Sequence, residues 1–185
     1  MYFENGHLVP IYTLANAVRE MVAQIGEHLE VKTVQEEIAR ARGLKVTDMV
    51  GPLIKMANFF KHADRNPSAK IDLEDNDVEV VLFLACHDFG RVGRGMPIEA
   101  QVFEAWAYAP ATKRVSDAPL RRQPLIRQMI AAFPGLRRAR NRAEQKAIGL
   151  KIMEQALRDK SLEMAITREV PAKPKSAKAA KDAAQ

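Results

Sequence analysis

The chain has 185 residues, 47% of them hydrophobic and 28% charged, with 29 Lys and Arg against 23 Asp and Glu for a formal charge of +6. That usage is ordinary for a folded protein and excludes a wholly disordered chain. No apolar run approaches the roughly 18 residues of a bilayer span, Met1 to Asn5 carry no secretory signal pattern, and the single Cys86 cannot form an internal disulfide, so a cytoplasmic protein is expected.

In chain order, Ile11, Leu14, Ala15, Val18, Met21, Val22, Ile25 and Leu29 recur at helical spacing. They predict an amphipathic helix over 11–29 with one buried face, and Pro10 sits just ahead of it. Thr33 with Glu36 three residues later predicts a capping box opening a short helix that Gly43 ends. Gly51-Pro52 predicts a third helix with Pro52 at its first position, stopping near Ala63 before Asp64-Arg65-Asn66-Pro67. A second box, Asn76 with Glu79, predicts a fourth helix. Its apolar surface runs almost around it, from Val78 through Phe89, which places it centrally. The glycine-rich run Gly90 to Gly95 should break it. A fifth helix is predicted from Pro97, carrying Ile98, Val102, Phe103 and Trp106.

Residues 109–119 read as a linker, and helical patterning resumes over 119–132. After Pro134-Gly135 a long helix is predicted over 136–164, with Leu136, Ala139, Ala143, Ala147, Leu150, Met153 and Leu157 inward. From Val170 the Pro-Ala-Lys-rich sequence has too little apolar surface to order itself. The expected fold is all-α: a helical bundle over 1–110, an Arg-rich helical extension over 111–165 and a disordered Lys/Ala/Pro tail over 166–185.

Charge is unevenly placed. Residues 1–112 hold 11 basic and 16 acidic residues, a net of −5, whereas residues 113–142 hold 9 basic residues and Asp117, a net of +8. Eight of those nine are Arg, whose planar fork suits phosphate or carboxylate. Arg121, Arg122, Arg127, Arg137, Arg138, Arg140 and Arg142 are therefore the candidate nucleic-acid-binding residues. Around 136–142 their charges wrap the predicted helix, which suits a phosphate backbone without base readout. The other reading is that this segment docks on an acidic protein, on its own acidic body or on that of a second copy.

The run Asn58-Phe59-Phe60-Lys61-His62-Ala63-Asp64-Arg65-Asn66-Pro67 carries a resemblance. With Leu82 to Cys86 and Val102 to Trp106, it resembles the signature of a family of uncharacterised bacterial helical proteins, over residues 10–108. It is more loosely similar to the HEPN helical domains, many of which are metal-independent ribonucleases. Asn58 and His62 match the polar residue and the His of the HEPN motif, and Ala57 stands where those enzymes carry Arg. The resemblance implies His62 as a general acid/base in RNA cleavage, although HEPN domains also include many non-catalytic members. Read without it, Lys61 and His62 suit the negative end of a helix, and Asp64, Asn66 and Pro67 terminate it.

Cys86-His87-Asp88, with His62 and Asp64, fits no metal-ligand spacing, and Cys86 reads as a buried structural thiol. Gly90, Gly93 and Gly95 lack the preceding strand that a phosphate-binding loop requires. No cofactor is expected. Three functions remain open on the sequence: a non-catalytic polyanion binder, a HEPN-like ribonuclease using His62, and a protein–protein adaptor or self-associating protein.

Overall fold

The computed structural model describes residues 1–65, 67–93, 95–111, 128 and 131–159. Among them are six α-helices and no strand: α1 (Leu8–His28), α2 (Val34–Ala41), α3 (Val46–Lys61), α4 (Asp75–Val92), α5 (Ile98–Ala111) and α6 (Arg142–Arg158). Short 3-10 turns occupy Ala63–Arg65 and Leu136–Arg138. The protein is all-α, as the periodicity predicts. No helix among the described residues is long and apolar enough to cross a membrane.

Helix α4 is central. It makes its most extensive contact with α1 and also meets α2 and α5. The Thr33 capping box forms, with the Glu36 N–H donating to Thr33 Oγ1 at 3.3 Å and the Thr33 N–H to Glu36 Oε2 at 2.6 Å. Gly43 follows α2 at φ +66°, a conformation that costs glycine little.

Two expected boundaries move. Helix α3 begins at Val46, so Pro52 lies inside it and not at its first position. Pro52 is exposed, where water can meet the carbonyl that its missing N–H leaves unpaired. Helix α4 opens two residues early, at Asp75 with Glu74 as its N-cap, and Asp77 Oδ2 accepts from the Glu74 N–H at 3.0 Å. Glu79 is not part of a box with Asn76; it turns inward to Tyr2 and Arg142. The glycine-rich run does end α4, at Val92 with Gly93 as its cap, and Gly90 is buried in the last turn, where a Cβ would meet the Met96 side chain.

The largest departure is at the two ends of the described chain. Tyr2 and Phe3 are buried core residues. Their rings pack with Phe103 and Trp106 at centroid distances of 5.1–6.1 Å. Helix α6 closes over this cluster against α5. Lys146, Gly149 and Ala156 are the buried residues of α6; of the expected row, Leu136, Leu150 and Met153 pack in or against the core, whereas Ala143, Ala147 and Leu157 are exposed. Gly149 sets the approach, since a Cβ there would lie 2.5 Å from Phe3 Cε1. Residues 136–141 form a turn and an extended cap in place of the first turns of the predicted long helix. Phe133, Leu136 and Ala156 share one core with residues 2–109, so the division expected at residue 110 does not separate two cores. The helical patterning read over 119–132 falls almost wholly outside the described residues, and the 166–185 tail entirely so.

Gly149→Val should destabilise the fold by about 2 kcal/mol, measured by urea unfolding. Overpacking costs roughly 1–3 kcal/mol and outweighs the few tenths of helix propensity that Val gains over Gly.

Candidate functional site

Helix α1 buries only part of its expected apolar face: Ile11, Ala15 and Val22 face the core, and Val18 and Leu29 are half-buried. Its buried residues are Ile11, Tyr12, Ala15, Asn16, Arg19, Val22 and Gly26. Leu14, Met21 and Ile25, expected inside, are 60%, 51% and 40% exposed. The cause is a buried polar network. Arg19 is 3% exposed and donates from Nε and Nη2 to Asn16 Oδ1, at 3.1 and 3.0 Å, and from Nη1 to Gln35 Oε1 at 3.0 Å. Tyr12, fully buried, donates its hydroxyl to the Leu53 carbonyl of α3 at 2.9 Å, and burial pushes its pKa up to about 12. Burial also lowers the pKa of Arg19. Rolling α1 to bury its apolar stripe would break the bond to Gln35 and leave that buried side chain of α2 without its donor, so the network opposes the rotation.

The stripe borders an apolar groove of about 400 Å³ between α1, α4 and α5. Leu14 and Val18 form one wall, Leu82, Cys86 and Phe89 the floor, and Pro97 and Ala100 the other wall, with Met1 and Tyr2 at the margin. No lining side chain carries a charge. The Tyr2 hydroxyl is engaged with Glu79, and burial raises the Cys86 thiol to about 12, which keeps it un-ionised at neutral pH. At the exposures seen, Leu14, Met21 and Ile25 each forgo on the order of 1 kcal/mol of burial energy.

The candidate arginines divide. Arg142 is not free for an outside partner: it pairs with Glu79 and Gln145 and lies 5.0 Å from the Trp106 ring centroid. Lys146, buried, pairs with Asp75 and sits 4.3 Å from the centroid of the Tyr2 ring. The Trp106 indole N–H completes the dock on the Gln145 carbonyl at 2.9 Å. Basic residues of the C-terminal segment thus meet acids of α4 in the same chain. Burial nevertheless holds the Glu79 pKa above the ordinary carboxylate value, despite donation by Tyr2 and Arg142. Arg140 pairs with Glu144 one turn along, and its side chain remains 86% exposed. Arg138 is exposed, and Arg137 is half-buried beside Phe133 and Leu136. Arg121, Arg122 and Arg127 lie outside the described residues.

His62 caps the C-terminus of α3 and is exposed, as are Asn58, Asp64 and Arg65. Lys61 turns to Glu20 at 3.7 Å. This end of α3 terminates in solvent on the described residues. Cys86, His87 and Asp88 diverge. Cys86 faces the groove, His87 Nδ1 lies 2.6 Å from Glu104 Oε1, and Asp88 Oδ1 accepts the Val34 N–H at 2.6 Å. Burial pushes Asp88 above the usual carboxylate range. His87, Asp88 and Arg19 were missed as interior residues. The available signal was that α4 is apolar almost all around, so its few polar residues had to be buried with the rest.

No family model, curated protein or solved structure matches this chain.

Arg142→Ala should cost about 2–4 kcal/mol by urea denaturation, because Glu79 would be left desolvated with half its donors. The Arg142→Ala/Glu79→Gln double variant should lose less than the sum of the singles. A solvent-facing arginine would change stability by only about 0.5 kcal/mol.

Proposed function

We propose that this chain is a non-catalytic cytoplasmic protein that works by docking an amphipathic helix in the groove between α1, α4 and α5. One observation carries the reading: α1 buries Arg19 and Asn16 while it leaves Leu14, Met21 and Ile25 exposed, and Leu14 and Val18 line a groove without a charged lining side chain. Exposed apolar side chains beside an apolar groove favour an interaction site. Grooves of this form take helices through residues at i, i+4 and i+7.

A fluorescent designed peptide helix, with Leu at i, i+4, i+7 and i+11 and mixed Glu and Lys elsewhere, should bind with micromolar affinity by fluorescence polarisation. Leu14→Arg should weaken it at least tenfold. Equal binding by that variant, or none by wild type, removes the reading.

The exposure of Arg138 and Arg140 beside the Gly135 turn favours a second reading, attachment to a polyanion such as RNA or DNA. Two phosphate contacts would cost about tenfold in affinity between 50 and 200 mM salt, whereas five, with Arg121, Arg122 and Arg127 engaged, would cost several-hundred-fold. The salt slope of oligonucleotide binding, with Arg138→Glu/Arg140→Glu as the null variant, measures which arginines take part. No binding at 50 mM salt excludes this reading.

A further inference from the structure

We infer that α2, the turn after it and α3 form a helix-turn-helix that seats the first turns of α3 in the major groove of duplex DNA; this rests on neither reading above. Two packed helices joined by a turn of three or four residues, often containing glycine, are the form of that motif. Here α2 ends at Ala41, Arg42 to Lys45 make the turn, and α3 opens at Val46 against α2. Gly43 supplies the left-handed residue that reverses the chain. Its N–H donates to the Arg40 carbonyl at 3.2 Å and that of Leu44 to the Ala39 carbonyl at 2.9 Å, which closes the end of α2.

The pair is held from behind. Ala39 of α2 and Val50 and Ala57 of α3 are buried, α4 backs α2, and α1 backs α3. Gln35 accepts from Arg19 at 3.0 Å, and the Leu53 carbonyl accepts from Tyr12 at 2.9 Å. The other side of α3 is open. Thr47, Gly51, Lys55 and Asn58 follow one line along it, and a Cβ on Gly51 would meet nothing within 4 Å. Thr47, Asp48 and Lys55 are exposed there. Such side chains suit base edges: Thr either donates or accepts, Asp accepts from cytosine N4, and Lys donates to guanine.

Charge commits the surface to a polyanion. Arg40, Arg42, Lys45 and Lys55 are exposed and enter none of the ion pairs found among the described residues. The nearby acids of α2 are engaged, Glu36 by the Thr33 N–H and Glu37 by Arg91 at 2.7 Å. Asp48 is the only acid on α3. Four cations therefore flank the turn and the open side of α3 against one carboxylate, which is the placement that phosphate contacts beside a groove require. The first three turns of α3 span about 16 Å, the length of about five base pairs.

Fluorescence anisotropy of the full chain on a labelled 24-bp DNA duplex, beside the RNA duplex of the same sequence, tests this. At 50 mM NaCl the DNA should bind with micromolar Kd. The RNA should bind at least tenfold more weakly, because its deep, narrow major groove does not admit the helix. Four phosphate contacts would cost on the order of a hundredfold in DNA affinity between 50 and 200 mM salt. Lys45→Glu/Lys55→Glu, at two exposed positions, should lose at least tenfold with unchanged circular dichroism, and Leu14→Arg should bind like wild type. Selection from duplexes with a randomised 12-bp centre should return a short preferred sequence. Asp48→Asn should change it, since Asp suits cytosine and Asn suits adenine. The inference is overturned by no DNA binding at 50 mM NaCl, by equal affinity for the two duplexes, or by a selection without a preferred sequence. A loss confined to Arg138→Glu/Arg140→Glu gives the DNA to the C-terminal arginines and overturns it too.

Discussion

The orientation of α1 depends on Arg19. A guanidinium buried at 3% exposure must keep its acceptors, and Asn16 and Gln35 supply them from α1 and α2. That requirement fixes which side of α1 faces α4. It leaves part of the apolar surface of the helix outside, where hydrophobic burial alone would have drawn it in. Buried polar groups of this kind fix one arrangement at some cost in stability. Here the arrangement they fix presents a groove.

A second polar lock operates at the other end of the molecule. Arg142 and Lys146 carry their aliphatic stems over Trp106 and Tyr2 and place their charges on Glu79 and Asp75 of α4. Each cation thus serves an aromatic face and a carboxylate at once. The net charge of the C-terminal segment therefore overstates what it offers to a partner. Part of it is balanced within the fold, and the exposed remainder among the described residues lies at Arg138 and Arg140.

The helices themselves were legible because helical periodicity and caps are local. The Thr33–Glu36 box and Gly43 marked α2, and the apolar girth of α4 marked it as central. Facing was not legible, because it depends on partners distant in sequence. The 3-1-3-3-1-3-4 spacing of α1 could not reveal that Arg19 would find Gln35. The small residues of α6 gave no sign that Gly149 makes room for Phe3. The Arg-rich run was visible as charge, yet only packing assigns Arg142 to Glu79 and leaves Arg138 in solvent. The end of α3 was read correctly as a terminus by dipole and turn chemistry, and His62 stands there exposed.

The contact of Phe3 with Gly149 joins points nearly 150 positions apart along the polypeptide. Such a closure carries a chain-entropy cost that grows slowly with the length enclosed, and contacts so distant along the chain slow folding. Until it forms, Tyr2, Phe3, Phe103 and Trp106 have no cover from α6. An intermediate with helices α1 to α5 assembled would thus display an aromatic surface, the kind of species that chaperones bind and that aggregates when they do not.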